Sequence, residues 1–351
     1  MADTFNPPVT IRDIATATGL HHTTVSLALR NSPKLRPETL NKIQDMAKKL
    51  GYKPNPMLTA LNAYRQSKSP PHYQSTIAWI NNWPDRDEIF TIATFRQYHE
   101  GACDRTRQLG YALEEFWMHQ PGMSPERTLA ILKARNIQGL LMFPQPYART
   151  LSPFDFRDFS AVAFGYSLQP PVLNVVTNHH AHSMNLILSN LVELGYRRIG
   201  LNVSRDWDAK VEHAWVGGLK LSHWTNPELA VIPPLKSESV LGPWLKKYKP
   251  DVVISYNELE AEIRALGYSI PEDIGFASLD KEPEDQIISG LNENSFYIGQ
   301  KAVDALVGLL HRGERGIPAV PTRLLVESTW VPGKTLRRQV HSEARKSRSP
   351  K

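Results

Sequence analysis

The sequence of 351 residues has a single cysteine, Cys103, and no long apolar run. One cysteine excludes an internal disulfide framework and a cysteine-rich zinc module. No stretch approaches the 18 or so consecutive apolar residues that a membrane-spanning helix needs. The opening residues MADTFNPPVT lack the basic and apolar regions of a signal peptide. We therefore expect a cytoplasmic protein.

The common catalytic motifs are also missing. The sequence contains no Gly-x-Ser-x-Gly, no Walker loop, no Gly-x-Gly-x-x-Gly turn and no His-Glu-x-x-His. The histidines His179, His180 and His182 form the one metal-like cluster, which we interpret as a polar helix start because adjacent helix positions diverge. Cys103 is expected to be a buried, inert thiol. These observations predict no enzyme, no cofactor and no metal site.

Basic residues are concentrated at the two ends of the chain. Residues 1–72 hold ten Lys and Arg against four Asp and Glu, and residues 334–351 hold seven against one. Residues 73–333 hold 24 against 30, so a basic N-terminal region is joined to an acidic body. This asymmetry indicates a polyanionic partner for the N-terminal region, although short basic stretches are often only solvated.

Three short helices are predicted near the N-terminus. Thr10 is a good N-cap for the first helix, and Gly19 suits the turn that follows it. A second helix can form over 21–29 with Val25 facing the core, and Pro37 can occupy the first turn of a third helix. Two short helices joined by a glycine-containing turn, with a third closing the core, are typical of a helix-turn-helix module.

A specific motif spans these helices. Residues 9–26 read Val-Thr-Ile-x-Asp-Ile-Ala-x-x-x-Gly-Leu-x-x-x-Thr-Val-Ser, and residues 50–56 read Leu-Gly-Tyr-Lys-Pro-Asn-Pro. This pattern closely resembles the DNA-binding headpiece of the lac repressor/galactose repressor (LacI/GalR) family of bacterial transcription regulators. Two positions depart from the family pattern. His21 stands where the family usually has a serine N-cap, and Leu40 where a basic residue is common.

The resemblance implies roles for individual residues of the headpiece. In this family the second helix lies in the major groove, and the resemblance implies that His22, Thr23 and Leu27 contact bases. Imidazole and hydroxyl groups can bond to base edges, and leucine can touch a thymine methyl. Phosphate contacts, which position the helix without reading sequence, are expected from four other residues. These residues are Thr10, Thr24, Ser26 and Thr39.

A hinge helix is expected after the headpiece. Asn55 can cap it, Pro56 can open it, and Ala60 and Leu61 lie on one face. In the family this helix inserts a leucine into the minor groove, and the resemblance assigns that wedge to Ala60 and Leu61. The alternative is that Leu61 is the apolar side of a linker helix. The polar, proline-rich stretch 65–72 then marks a domain boundary.

Strands alternate with helices from residue 75 onward. This pattern predicts parallel sheets with helices on both faces, either as one barrel or as two open sheets that share a cleft. The predicted strands are 76–80, 112–118, 137–143, 161–164, 199–203, 229–232, 252–255, 274–279 and 323–327.

Resemblance favours the two-sheet alternative. The stretches 194–200, 270–276 and 298–306 look like the family's body, which is similar to periplasmic sugar-binding proteins and has two α/β subdomains joined by three crossovers. The crossovers are expected near 168–176, 288–295 and 319–324. The expected organisation is a headpiece over 1–54, a hinge helix and linker over 55–74, a body over 75–333 and a disordered basic tail over 334–351. Within the body, the N-subdomain would span 75–171 and 295–320, and the C-subdomain 172–294 and 321–333.

The cleft of such a body is the expected effector site. Ligands of open α/β sheets bind at the carboxyl ends of the strands. Many family members clamp the effector with an arginine, and Trp215 occupies that position here, so the pocket departs from that of a standard sugar repressor. Aromatic rings and carboxylates would suit a carbohydrate or a derivative. The candidate residues are Trp83, Asp85, Tyr166, Trp207, His213, Trp215, Asn257, Glu258 and Asp280.

These observations predict a sequence-specific transcription regulator, most simply a repressor. It would bind double-stranded operator DNA as a homodimer, since two-fold protein symmetry matches two half-sites of a pseudo-palindrome. A sugar-like small molecule would control it, and it would reside in the bacterial cytoplasm on the nucleoid, without a membrane partner. A carbohydrate-binding protein or a sugar-acting enzyme on the same α/β body is the alternative.

Overall fold

The N-terminal helices have the boundaries that their capping residues favour. In the computed structural model, α1 spans Ile11–Thr18, α2 His22–Leu29 and α3 Pro37–Lys49. Thr10 and Asp13 form a reciprocal capping box, and Gly19 ends α1 in the left-handed conformation at φ 70°. The structure describes residues 9–29, 35–52, 75–235, 240–282 and 284–339.

A small apolar core joins these three helices. One or two residues from each helix are fully or almost fully buried, namely Ile14, Val25, Ala28, Ile43 and Ala47. The i, i+3 and i, i+4 spacing of these residues places them on the inner face of each helix. Leu50 directly follows α3 and is 37% exposed, because it lies at the end of the helix rather than on its buried face. The chain divides into two compact units, Met1–His72 and Tyr73–Lys351.

The second unit contains two sheets. The first sheet has six parallel strands in the order β10-β5-β4-β3-β1-β2. The second sheet has the order β11-β9-β8-β7-β6, in which only β11 runs antiparallel to its neighbour. The strands are β1 Ser75–Asn81, β2 Tyr111–Trp117, β3 Gly139–Met142, β4 Ser160–Phe164, β5 Asn174–Asn178, β6 Ile199–Leu201, β7 Val252–Ser255, β8 Gly275–Ser278, β9 Ser289–Asn292, β10 Arg323–Val326 and β11 Thr329–Val331.

Helices cover both faces of each sheet, as the alternating pattern predicts. The parallel strands are therefore buried on both sides, and their sequences are nearly continuous apolar runs. The helices are α4 Glu88–Thr91, α5 Ala93–Gln108, α6 Pro125–Ala134, α7 His180–Glu193, α8 Arg205–Lys210, α9 Ala214–Thr225, α10 Leu241–Tyr248, α11 Glu258–Ala265 and α12 Ser295–Arg312.

Helices α5 and α12 pack on one face of the first sheet at very short separation. A Cβ atom on Gly299 would lie 2.2 Å from the backbone oxygen of Tyr98, and one on Gly101 would lie 1.9 Å from that of Phe296. Side chains at either position would force the helices apart. The two glycines therefore allow the middle of α5 to pack close to the beginning of α12.

Two of the three crossovers between the sheets lie later in the chain than the sequence indicates. Strands β5 and β10 belong to the first sheet, where they pair with each other, rather than to the C-subdomain. The chain passes between sheets after Asn178, between β9 and α12, and between β10 and β11. The prediction was wrong at the first and third crossovers because pairing with a distant strand decides membership, and short buried strands look alike in sequence.

Two further predictions about the body were wrong. The expected strand over 229–232 is not formed, although these residues are described. The segment makes a single bridge, from Leu235 to Asn202, directly after Pro233 and Pro234, which cannot donate ladder hydrogen bonds. The expected disorder over 334–351 was wrong for residues 334–339, and residues 340–351 lie outside the described residues. Thr335 is buried and its hydroxyl donates to the backbone oxygen of Phe276 over 2.7 Å, so residues 334–339 pack on the second sheet.

None of the helices in the described ranges is both long enough and apolar enough to cross a bilayer.

Candidate functional site

The exposed face of α2 carries the three predicted base-contact residues. His22 and Thr23 are exposed, and Leu27 is 38% exposed, which is unusual for a leucine beside a packed core. On the opposite face, Val25 and Ala28 are fully buried against α1 and α3. The helix therefore presents a polar surface with one apolar side chain, held in place by the core behind it.

A histidine next to this surface contacts two of its residues. His21 lies immediately before α2, and its Nδ1 is 2.8 Å from the hydroxyl of Thr23. The imidazole of His21 is also 4.1 Å, centroid to centroid, from that of His22. The residue that departs from the family's serine N-cap thus contacts both predicted base-reading residues at the start of α2.

The predicted phosphate contacts differ in their surroundings. Thr24, Ser26 and Thr39 are half-buried at the edge of the headpiece. Thr10 is exposed, but its hydroxyl and backbone amide both donate to the carboxylate of Asp13, over 2.8 and 2.7 Å. A phosphate contact by Thr10 would have to replace one of these bonds. The predicted minor-groove residues, Ala60 and Leu61, lie outside the described residues.

A cavity of about 510 Å³ lies in the body at the carboxyl ends of the strands. Its walls come from the segments that follow β4, β7, β8 and β9, together with the start of α5 and the helix α8. Both sheets therefore contribute to it, at the edge where open α/β sheets bind ligands. Its volume lies in the range of sites for small organic molecules.

Five predicted effector residues line this cavity. Tyr166 follows β4, Trp207 lies on α8, and Asn257 and Glu258 follow β7. Asp280 follows β8, and its carboxylate accepts a hydrogen bond from the hydroxyl of Thr94 on α5. Their positions are as the strand-end rule predicts, and their roles in ligand binding remain predictions.

Four other predicted effector residues do not line it. Trp83 is buried, and its indole donates to the backbone oxygen of Pro144 behind the wall over 2.8 Å. Asp85 is exposed on a turn, where it accepts from a neighbouring backbone amide. His213 lies at the start of α9, is largely exposed and has its Nδ1 3.0 Å from Asp208. Trp215 is fully buried beneath the cavity.

The cavity also contains residues that the sequence did not indicate. Tyr98 lies within α5, and Glu293 follows β9, a strand that was not predicted. His180, which appeared only as part of a histidine cluster, packs edge-on against Trp215 with ring centroids 5.2 Å apart. No local pattern distinguishes these residues, since each is brought to the cavity by packing between distant segments.

Burial dominates the electrostatics of the cavity. It raises the pKa of Asp280 to about 6, against a hydrogen bond from Thr94 that lowers it. Burial, and next the negative charge of Asp280, raise the pKa of Glu293 well above its usual value. Burial lowers the pKa of His180 to about 3, so this imidazole is neutral at physiological pH.

Lys210 is the one lysine or arginine among the residues that line this cavity. Its ammonium donates to the backbone oxygen of Pro146 over 2.5 Å and lies 3.2 Å from Asp206. It also lies 4.3 Å from the centre of the Trp207 ring, a cation–π distance. Burial lowers the pKa of Lys210, and the neighbouring carboxylate of Asp206 opposes this by raising it. Lys210 and Asp206 therefore form an ion pair at the cavity.

The two sides of the cavity are joined by polar contacts. Thr94 bonds to Asp280, and Arg96 pairs with Glu282 over 3.2 Å. On the other side, the backbone amide of Ala148 donates to Asp206. These contacts connect the first-sheet half to the second-sheet half around the cavity.

The remaining histidines of the cluster face away from the cavity. His179 Nδ1 lies 2.8 Å from one carboxylate oxygen of Glu327, and His182 Nε2 lies 3.4 Å from the other. The described residues contain no group of three or more His, Cys, Asp or Glu side chains that could hold a metal ion.

Sequence comparisons with known proteins match a short part of the chain, whereas structure comparisons match most of it. Residues 10–55 match the family model described as bacterial regulatory proteins, lacI family. The chain is also similar to the probable HTH-type transcriptional repressor ExuR of Bacillus subtilis (strain 168), with 51% identity over 47 residues. That match covers 13% of this chain and 14% of ExuR, and so concerns the headpiece alone.

Solved structures resemble the chain over a much greater length. A lac repressor dimer bound to operator and the anti-inducer ONPF covers 94% of this chain and 99% of its own, with TM-score 0.56 and 18% identity. A complex of the transcriptional regulator CelR with cellobiose covers 93% and 99%, with TM-score 0.57 and 17% identity. A transcription regulator like protein from Staphylococcus haemolyticus covers 75% and 99%, with TM-score 0.58 and 16% identity.

At such low identity these structures establish the fold. The headpiece match rests on consecutive residues at half identity, and the relatives it resembles are described as transcriptional regulators. The N-terminal module is thus similar to the lacI family of bacterial regulatory proteins over residues 10–55, and the chain has the fold of the lac repressor structures.

Proposed function

We propose that this protein is a sequence-specific DNA-binding transcription regulator that acts as a repressor. The observation that carries the proposal is the exposed face of α2, with His22, Thr23 and Leu27, in a module that matches the lacI family. In a helix-turn-helix module the second helix enters the major groove, where such side chains can bond to base edges. Thr24, Ser26 and Thr39 contact phosphates in this proposal.

The regulator acts as a homodimer on a pseudo-palindromic operator in the bacterial cytoplasm. One helix-turn-helix reads few base pairs, and two-fold symmetry matches two half-sites. Support comes from a structural neighbour, the lac repressor, which was solved as a dimer bound to its operator. Residues 55–74 form the hinge region, and Leu61 with Ala60 acts as the minor-groove wedge. Leu61→Ala should then weaken operator binding and leave the dimer intact.

A carbohydrate or carbohydrate derivative in the body's cavity controls DNA binding. Aromatic side chains and carboxylates surround a volume of about 510 Å³, and the similar CelR structure contains cellobiose. The ligand acts by binding one arrangement of the two halves of the body better than the other. Such coupling between sites is typically about 1–3 kcal/mol.

Selection of bound duplexes from a random DNA pool tests the proposal. The purified full-length chain is expected to enrich an inverted repeat at fixed salt, and a fragment beginning at residue 73 is expected to enrich nothing. The selection is repeated with candidate sugars, because some regulators require a co-effector to bind DNA. If no repeat is enriched under any of these conditions, the headpiece does not read DNA and the proposal fails.

A further inference from the structure

The lining of the cavity is strongly acidic. Four carboxylates contribute to it, Glu258, Asp280, Glu282 and Glu293, against the single ammonium of Lys210. Two of these five charges already have partners outside the lining, since Arg96 pairs with Glu282 and Asp206 pairs with Lys210. The negative charge of the other carboxylates is therefore left without a basic side chain among the described residues.

Glu293 is the deepest of these carboxylates. It is 5% exposed, and no donor among the described residues lies within hydrogen-bond distance of its side-chain oxygens. The Nε2 atom of His180 lies 4.0 Å from a side-chain oxygen of Glu293, and this imidazole is neutral. A buried carboxyl with no donor is costly, so a ligand group that supplies a charged donor would bind there strongly.

Asp280 supplies a second acceptor on the same wall. Its contact with Thr94 uses one carboxylate oxygen, and the other is not bonded to any described side chain. The negative charge of Asp280 reaches Glu293 and raises its pKa further. A cation bound beside Asp280 and Glu293 would favour the ionised form of both carboxyls.

The remaining walls are aromatic. Phe95 and Trp207 have ring centroids 5.9 Å apart, and Trp207 and Tyr256 are separated by the same distance. Tyr98 completes this side of the cavity. Aromatic faces attract cations as well as the apolar faces of sugar rings, so these walls suit a ligand that has both.

We infer that the effector is a positively charged amino sugar or a closely similar hydroxylated amine, with its ammonium held by Glu293 and Asp280 and its ring against Trp207 and Tyr256. This inference rests on the proposed function and specifies the ligand class of its effector site. The position that clamps sugar ligands with an arginine in many relatives holds buried Trp215, and so adds no positive charge.

Thermal stabilisation of the full-length chain by a matched panel tests the inference. The cationic members are glucosamine, galactosamine and mannosamine, each at about 10 mM, and we expect at least one to raise Tm by several degrees through binding to the folded state. The neutral members are glucose, galactose, mannose and N-acetylglucosamine, and the acidic member is glucuronate. Mg²⁺ and Ca²⁺ form a further arm, with no expected shift.

The inference would be overturned if no amino sugar raised Tm while a neutral sugar, N-acetylglucosamine, glucuronate or either metal ion did. The absence of any shift across the panel would overturn it as well, since the simplest amines should bind measurably to an unpaired buried carboxylate.

Charge-removing variants locate the ammonium. Glu293→Gln keeps the shape of the side chain and is expected to weaken binding of the active amino sugar about 30-fold or more, as for loss of one partner of a buried charged pair. Glu228→Gln removes an exposed carboxylate outside the cavity and should leave affinity unchanged. The Tm of each variant without ligand shows that it folds. Equal affinity of Glu293→Gln and the wild type would place the ammonium elsewhere and contradict the inference.

The duplex selection separates this inference from the proposed function. If an inverted repeat is enriched but no amine binds, the proposed regulator function stands and the inferred ligand class is wrong. If an amine binds but no repeat is enriched, the inferred ligand class stands and the proposed regulator function is wrong.

Discussion

The headpiece surface and the cavity differ in how their residues are distributed along the sequence. The predicted reading surface lies within six consecutive residues of one helix, from His22 to Leu27, behind which a core of five buried side chains holds the fold. The cavity draws its walls from segments between Thr91 and Glu293. A local surface can be recognised from a short motif, whereas a site assembled from distant segments depends on how the chain packs.

The two regions also differ in how closely relatives resemble them. The headpiece is 51% identical to ExuR over 47 residues, while solved structures similar over most of the chain share 16–18%. A body can keep its two sheets while the side chains at the strand ends change, because the fold requires only apolar strands of adequate length. Ligand class is therefore expected to diverge faster than fold.

The largest expected effect comes from a charge in the headpiece core. Val25 is fully buried, so Val25→Asp should destabilise the headpiece by roughly 4 kcal/mol or more and unfold it. Binding to the selected duplex should be lost, while the thermal transition of the body and its ligand response remain. Ala17→Asp adds the same charge at an exposed position and should leave the headpiece folded, as circular dichroism would show. A folded Val25→Asp headpiece would contradict the core assignment.

The buried acids of the cavity predict a pH dependence of body stability. Because the pKa of Asp280 is raised to about 6 from 3.8, the folded state keeps a proton that the unfolded state has released between about pH 4 and 6. Rising pH across this window therefore destabilises the wild type relative to Asp280→Asn, by about 3 kcal/mol when complete.

The measurement is the Tm of both proteins without ligand from pH 4 to 8. Titration of His180 opposes this trend in both proteins. Asp280→Asn also removes the charge that helps to raise the pKa of Glu293, so the Glu293 carboxyl adds to the difference in the same direction. Asp87→Asn removes an exposed carboxylate outside the cavity and is the control for the loss of one negative charge. A difference between Asp280→Asn and the wild type that is constant with pH would refute the burial of Asp280.

A smaller effect is expected where α5 and α12 meet. Gly299→Ala places a methyl group against the backbone of Tyr98 and should destabilise the body by about 2 kcal/mol. Gly308→Ala, on the same helix, meets only the flexible end of Arg312 and should raise stability by about 0.5–1 kcal/mol through helix propensity. Urea unfolding of the two variants measures both values, and equal stability would exclude the close helix contact.

The smallest expected effects concern operator choice. His22→Ala or Thr23→Ala should reduce discrimination by about 1.5 kcal/mol at one or two positions of each half-site. Thr39→Ala should instead weaken binding uniformly across sequences, as loss of a phosphate contact does. Repeating the duplex selection with each variant distinguishes the two patterns. A uniform loss for His22→Ala would show that its imidazole does not read bases.

Local rules predicted much of the secondary structure. Thr10 caps α1 and Pro37 opens α3, because capping and proline geometry depend only on nearby atoms. The alternation of strands and helices in the body is also confirmed. Strand β9 was missed since its four residues, Ser-Gly-Leu-Asn, carry no apolar run, and its place is set by pairing with β8.

The candidate site was only partly predictable for the same reason. The strand-end rule located Asp280 and Asn257, since each directly follows a buried strand. It also selected Trp83 and His213, which follow or adjoin predicted elements but turn away from the cavity. Spacing along the chain determines which residues follow a strand, and side-chain packing determines which of them face the ligand.

The amino-acid sequence by itself determined the helix-turn-helix headpiece and the alternating α/β character of the body, because these depend on contacts between residues close in the chain. Only the tertiary structure decided which sheet each strand joins, where the crossovers lie and which carboxylates share the cavity. Glu293 shows the reason. Its burial, which together with the charge of Asp280 raises its pKa, comes from segments far apart in sequence that exclude water together.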